Sequence, residues 1–271
     1  MVERGRGRNG VSLNGEERKK IILQLLDAQG KVRTNDLVEA LQVSSESIRR
    51  YLEELEAEKK LKRVYGGAVK LRQERAEPSH LSREVLRAEE KKRIGRAAAA
   101  LVQDQDTIII DEGTTPLQMI EFLVDRKELV IITSSVTALS MLVSYQNQGL
   151  LSAELFFLGG KVNAKHHRVA GPFAESMMSN FYVDKAFLSV DGIMMDRGIT
   201  CYELERALLA KRYIEHASEV IVMADHSKIG TSTLCQVSDL SAIDMVICDE
   251  AAPEEWLSDL EMNRVAWIKA E

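Results

Sequence analysis

The chain has 271 residues, of which 45% are hydrophobic and 29% charged, and a net charge of −6. That length accommodates two ordinary domains, and that apolar content is enough to bury a core in each, which excludes a disordered polyelectrolyte. The opening residues, MVERGRGRNG, lack the apolar run of a secretory leader. No later apolar segment is long enough to span a bilayer, so a cytoplasmic protein with no membrane partner is expected.

The net charge conceals an asymmetry. Residues 1–75 hold 17 Lys+Arg against 12 Asp+Glu, a net +5, and the remainder carries −11. A basic N-terminal part invites a polyanion, although charge alone is also compatible with a solvated face. The three cysteines, Cys201, Cys235 and Cys248, are widely spaced with no CxxC pair. Reduced structural thiols are expected, and no zinc site.

In GEERKKIILQLLDA the residues Ile21, Ile22, Leu25 and Leu26 form one apolar helical stripe, which Gly30 ends. A second helix, capped by Thr34, repeats the stripe with Leu37, Ala40 and Leu41. A third starts at Ser44 or Ser45. There Ile48, Leu52 and Leu55 share one face, Glu46, Ser47 and Arg50 lie opposite, and Arg49 flanks them. Three short helices with a break before the last, and polar groups in the last helix's first turns, match a helix-turn-helix whose third helix enters the DNA major groove. Arginine suits that position because its planar fork bonds two acceptors on guanine, and Ser45, Glu46 and Ser47 are shorter donors or acceptors. Next, LKRVYGGAVKL reads as a hairpin with strands Lys62 to Tyr65 and Ala68 to Leu71 joined at Gly66-Gly67, a wing. Lys62, Arg63 and Lys70 on it would neutralise DNA phosphates.

The run VSSESIRRYLEELEAEKKLKRVYGGA resembles the DNA-binding signature of the DeoR family of sugar-metabolism regulators. It keeps Val43, Ser44, Ile48, Arg49, Arg50, Leu52, Arg63, Gly66, Gly67 and Ala68. It departs at Ser47, Tyr51, Lys60 and Tyr65, where the family usually has Thr, Asp, Gly and His. The resemblance implies a winged helix-turn-helix over 14–72 that binds double-stranded operator DNA through Ser45, Glu46, Ser47, Arg49, Arg50, Lys62, Arg63 and Tyr65.

Residues 73–90 read as a linker, polar and proline-containing, running into a helix with Ile94, Ala98, Leu101 and Val102 apolar that connects and offers a dimerisation face. From there strands alternate with helices, the pattern of an α/β domain with a mostly parallel sheet over 91–271. Strands are predicted at Thr107–Ile110, Leu129–Thr133, Leu155–Leu158, Lys185–Val190, Val220–Ala224 and Met245–Cys248, and ligands of such sheets gather at the strands' C-terminal ends. Those ends carry Asp111, Gly113, Thr114 and Thr115 before a helix near Pro116; Thr133, Ser134 and Ser135; Gly159 and Gly160; Asp191 and Gly192; and Asp225 with Lys228. Glycine and hydroxyls before a helix make a phosphate cradle, and equally an ordinary cap. The segment GGKVNAKHHRVAG, with Lys161, Lys165, His166, His167 and Arg168, reads as a mobile basic lid or a solvated loop. Its histidines lack metal-ligand spacing, so no metal and no cofactor is expected.

These segments resemble the sugar-phosphate-sensing domain of the same family. Its motifs fall on Asp111 with Gly113 to Thr115, on Thr133 and Ser135, on Gly159 and Gly160, on Asp184 through Gly192, and on Asp225 with Ser227 and Lys228. Ser134 stands for a usual Asn and His226 for a usual Ser, and Lys211 falls in a further family segment. The resemblance implies a phosphorylated-sugar effector, a homodimer or homotetramer, and a fold similar to ribose-5-phosphate isomerase. An active isomerase fused to a DNA-binding module is the competing class, but Glu112, Glu203 and Glu205 stand in no motif that makes one of them a general base. A non-enzymatic repressor is expected.

Overall fold

The computed structural model describes residues 14–29, 31–58, 60–70 and 77–271. The chain divides into two compact units, 1–74 and 75–271.

The first unit runs α1 (Gly15–Gln29), β1 (Lys31–Arg33), α2 (Thr34–Leu41), α3 (Ser45–Ala57), β2 (Leu61–Val64) and β3 (Gly67–Lys70). Gly30, expected to end α1, lies outside the described residues, as does the Lys70 side chain. The stripes become one core of Ile22, Leu26, Leu37, Leu41, Ile48, Leu52 and Leu55, joined by Tyr51, Leu61 and Ala68. Ala40 instead faces solvent. Thr34 is not the cap of α2 but its first residue, after Arg33, which makes no side-chain cap. Ser44 does cap α3, its hydroxyl accepting from the Ser47 amide.

The wing differs from its sequence reading by one residue. Val64 pairs with Gly67, so the turn is Tyr65-Gly66 and only Gly66, at φ 80°, needs the left-handed region. Gly67 is fixed for another reason. It pairs with Arg33 of β1, a strand absent from the sequence reading. A Cβ there would sit 2.0 Å from the Val32 carbonyl oxygen. Gly67→Ala is therefore expected to pry β1 from β3 at a cost of about 1–3 kcal/mol. Hydrogen exchange at the β1 and β3 amides should quicken, and unchanged protection would contradict this reading.

The second unit opens with α4 (His80–Val85) and α5 (Ala88–Ala100), then β4 (Thr107–Ile110), β5 (Leu129–Thr133), α6 (Val136–Asn147) and β6 (Ala153–Phe157). The pair β7 (Val162–Asn163) and β8 (Arg168–Val169) follows, then α7 (Pro172–Met178), β9 (Val183–Ser189), β10 (Gly192–Met194), β11 (Gly198–Cys201) and α8 (Leu204–Glu215). Last come β12 (Ala217–Met223), β13 (Cys235–Ser238), β14 (Met245–Cys248), α9 (Leu257–Asn263) and β15 (Ala266–Lys269). Seven strands form one sheet in the order β15-β14-β12-β9-β4-β5-β6, and every neighbouring pair is parallel. Alternation along the strands serves a core on each face: Ile109 and Ile132 join one, Ile108, Ile110 and Ile131 the other. The strand order reverses between β4 and β9, and such a switch point opens a crevice beyond the strand ends.

All six predicted strands are present, three of them with the expected bounds. Edge strand β15 and the small antiparallel sheet β10-β11-β13 were not anticipated. Two expectations change. Within the region read as a linker, Glu77, His80 and Arg83 are buried, so its latter part belongs to the second unit; residues 73–76 lie outside the described ones. The apolar face of α5 is likewise spent: Ile94 and Ala98 are fully buried in that unit's own core and do not form a free dimerisation face.

Candidate functional sites

In the first unit the start of α3 and the wing bound a groove of about 660 Å3, lined by Arg33, Thr34 and Asn35, by Ser45 and Arg49, and by Arg63 through Gly67. Ser45, Glu46, Arg49 and Arg50 are exposed. Ser47 is half-buried because its amide and hydroxyl both meet the Ser44 hydroxyl, at 3.2 and 3.0 Å. Arg49 lines the groove and Arg50 does not; Arg50 lies 3.8 Å from Glu54 with its guanidinium 5.5 Å from the Tyr51 ring centre. Arg63 is tethered to Glu53 at 2.6 Å, and its amide donates to Glu56 at 2.8 Å, so its charge is partly matched within the unit. Lys62 is exposed, and Tyr65 stands fully exposed at the wing tip. Arg33 and Asn35 escaped sequence reasoning, which had no strand β1 to carry them to the wing.

In the second unit the switch point is occupied by a cleft. Gly113, Thr114 and Thr115 after β4, Ser189, Val190 and Asp191 at the end of β9, and Asp225 and Lys228 beyond β12 line one side. Arg83, Leu86, Arg87 and Lys91, from α4, α5 and the turn between them, line the other. Gly113 is obligatory, since a Cβ there would lie 2.2 Å from that of Ser189. Four cations and two carboxylates thus line the cleft with Thr114 and Thr115, and Arg83 is paired with Glu77 at 2.9 Å. Arg83 Nε is buried with no hydrogen-bond partner among the described residues, a donor in want of an acceptor. Lys91 is buried, and the loss of water pushes its ammonium down to about 8. Arg87 bridges to Asp225 at 3.6 Å across the cleft, which encloses only about 50 Å3 in this arrangement.

The remaining sequence candidates do not line this cleft. Asp111 stands behind it, its carboxylate accepting from the Ser189 amide and hydroxyl at 2.9 and 2.6 Å. Burial and the neighbouring Glu112 charge raise the Asp111 carboxyl above its ordinary value. Thr133 accepts from the Ser135 amide, Ser135 caps α6, and Ser134 accepts from the buried Tyr213 hydroxyl. Gly159 and Gly160 follow β6, the outermost strand beyond β5. Gly192 begins β10 against Thr231, and Lys211 is exposed on α8.

Beneath the cleft lies a buried ion network. Glu112 meets Arg168 at 3.0 Å and is in contact with Arg206, which also binds Asp191 and the Ser189 carbonyl. Burial alone would raise the Glu112 carboxyl, and the guanidiniums of Arg206, Arg168 and Arg83 outweigh it, holding that group low, at about 2. Arg168 grips Glu77 with both terminal nitrogens, at 3.0 and 2.8 Å, and reaches Glu203 at 2.8 Å. The segment read as a mobile basic lid is therefore anchored: Arg168 is fully buried, and Lys165 donates to the Glu77 carbonyl. Two groups, Glu77 with His166 and Glu203, and His226 with Asp249 and Glu250, bring their ligand atoms within 4.8 Å. Arg168 already neutralises the first, and an Asp249–His226 hydrogen bond of 2.7 Å closes the second.

A winged helix-turn-helix followed by a doubly wound unit with a cationic cleft defines a DNA-binding regulator with a ligand sensor. Residues 18–74 match the DeoR-like helix-turn-helix domain and residues 86–250 the DeoR C terminal sensor domain; the chain belongs to the DeoR family of transcriptional regulators. It is similar to YulB, an uncharacterized HTH-type transcriptional regulator of Bacillus subtilis (strain 168), with 34% identity over 92% of this chain and 94% of that protein. It is also similar to the HTH-type transcriptional repressor GlcR of the same organism, 32% identical over 94% of this chain and 96% of the relative. Ribose 5-phosphate isomerase A of Methanocaldococcus jannaschii aligns with a TM-score of 0.38 and 20% identity, over 52% of this chain and 54% of that one. Among the described residues no helix is long and apolar enough to cross a membrane.

Proposed function

We propose that this regulator is a cytoplasmic, homo-oligomeric repressor of a sugar-metabolism operon, released from its operator by a phosphorylated sugar held in the cleft at the switch point. The observation that carries the ligand assignment is that Arg83, Arg87, Lys91 and Lys228 line one cleft together with Thr114 and Thr115. A dianionic phosphate satisfies that set, including the orphaned Arg83 Nε, through charge-assisted hydrogen bonds. A whole phosphosugar needs several times the present volume, so its entry opens the Arg87–Asp225 bridge. In the first unit α3 enters the major groove with Arg49 toward the bases, and Lys62, Tyr65 and the groove-lining Arg33 meet the backbone. The sensor binds its ligand without turning it over. Glu112 is the carboxylate nearest the threonine loop in sequence, but one held ionised by three guanidiniums is a weak base for carbon acids.

Calorimetry with a panel of phosphosugars and their unphosphorylated parents tests the reading. One phosphosugar should bind, its parent sugar should not, and Thr114→Val and Lys228→Ala should each weaken it by about 1–3 kcal/mol while unliganded operator binding is kept. Equal binding of the parent sugar would show that the phosphate is not what the cleft recognises. On the DNA side, Arg49→Ala should cost about 1–3 kcal/mol at the operator and relax base preference in footprinting.

A further inference from the structure

Inert cysteines are expected, and Cys248 is one, fully buried as the last residue of β14 with its thiol pushed up to about 12 by burial. Cys201 and Cys235 differ from it in position. They are direct partners across the antiparallel pair β11·β13. Opposed residues in such a pair point to the same face, with Cα atoms about 4.5–5.5 Å apart. That spacing falls inside the window a disulfide spans, about 4.4–6.8 Å. Both sulfurs also sit over consecutive backbone carbonyls, Cys201 Sγ 3.3 Å from that of Glu203 and Cys235 Sγ 3.9 Å from that of Tyr202. The register between Ile199 and Thr200 is already irregular, so the strand can absorb a small closing movement.

We infer that Cys201 and Cys235 form a modification site, a thiol pair that hydrogen peroxide converts to an intrachain disulfide. The two sulfurs have unequal tasks. Cys235 is half-exposed and meets the oxidant, whereas Cys201 is buried, and burial pushes its thiol up to about 12. The Cys235 thiolate attacks peroxide, forming an S–O bond and breaking the O–O bond with loss of hydroxide. Cys201 sulfur then attacks the sulfenic sulfur; the S–S bond forms, the S–O bond breaks, and the hydroxide leaves as water with the Cys201 proton. Two thiols lose two electrons, and one peroxide becomes two waters. Held opposite one another, the sulfurs react as a unimolecular pair, which offsets the low thiolate fraction of Cys201. The pair also adjoins the cleft: the Thr200 carbonyl accepts from the Asp191 amide at 2.9 Å, and the Tyr202 amide donates to the Asp191 carboxylate at 3.2 Å.

The full chain is treated with hydrogen peroxide in small excess, its remaining thiols are alkylated after denaturation, and the digested peptides are weighed. A reducible cross-linked pair containing Cys201 and Cys235, two hydrogens lighter than the separate peptides, is expected while Cys248 is still alkylated. Cys201→Ala should leave Cys235 as a sulfenic acid that a carbon nucleophile traps, and Cys235→Ser should leave Cys201 alkylated. Two results overturn the site. One is Cys235 ending as a sulfinic acid beside an alkylated Cys201; the other is both thiols surviving under conditions that oxidise free glutathione.

Discussion

Arg206→Met is expected to lower the stability of the second unit by about 3–5 kcal/mol. Arg206 is buried and serves four acceptors: the carboxylates of Glu112 and Asp191, and the carbonyl and hydroxyl of Ser189. Methionine matches its length but leaves both carboxylates short of their counter-charge in a medium that solvates them poorly. Removing one partner of a buried pair costs more than the pair contributes, because the survivor keeps its desolvation penalty. The sign of the pH dependence follows from Glu112, whose folded value lies below its unfolded one. Its contribution is fully present above about 4.5 and is lost as pH falls from there toward about 2. The gap between parent and variant urea midpoints should accordingly be widest near neutrality and shrink below pH 4.5. A variant within about 1 kcal/mol of the parent at pH 7 would show that Arg168 and water replace Arg206 without cost.

Most of the fold was legible in the sequence because periodicity and burial speak the same language. Ile48, Leu52 and Leu55 sit four and three apart and became core; the TIII and LVIIT runs became central strands. What stayed hidden was set by strand order, which no local pattern encodes. Asp-x-Gly-Thr-Thr and Thr-Ser-Ser look alike as hydroxyl-bearing strand ends. Yet β4 sits beside β9 at the switch point, and β5 lies on its far side, so Thr114 lines the cleft while Thr133 and Ser135 turn inward to bond one another. The second hidden part came from the supposed linker. Glu77, Arg83 and Arg87 fall in the polar stretch read as a linker, and Lys91 at the start of the connecting helix that follows it. Long-range contacts carry that segment onto the strand ends, among them the pairing of Glu77 with Arg168, 91 positions away, and the His80 amide donating to the Lys165 carbonyl. A signal was available at Arg87, a non-glycine residue at φ 54° between α4 and α5, but only once both helices are known.

Lys91→Met should make the unliganded protein more stable at pH 7 while abolishing its response to the phosphosugar. Lys91 is 4% exposed, and its ammonium makes one hydrogen bond, to the Arg83 carbonyl. Burial lowers its folded value from 10.5 to about 8, which at pH 7 amounts to a penalty of about 3 kcal/mol for keeping the charge inside. Methionine fills the same space without that penalty and forgoes the hydrogen bond, worth about 1 kcal/mol, so a net gain of about 2 kcal/mol is expected. Between about 8 and 10.5 the unfolded chain holds the Lys91 proton that the folded one has released. The parent therefore gains stability with rising pH across that window, and the variant's advantage fades toward its upper end. Ligand binding runs the opposite way. A phosphate beside Lys91 restores the charged form, so parent affinity should be flat between about pH 7, above the second phosphate pKa of about 6, and about 8, and weaken above that, with proton uptake measurable near pH 8 by calorimetry in buffers of different ionisation enthalpy. A stabilised variant that no longer binds would identify Lys91 as a charge kept buried for the ligand's sake. A variant that unfolds more readily at pH 7, or binds the phosphosugar as the parent does, would assign Lys91 to the scaffold and leave the phosphate to Arg83, Arg87 and Lys228.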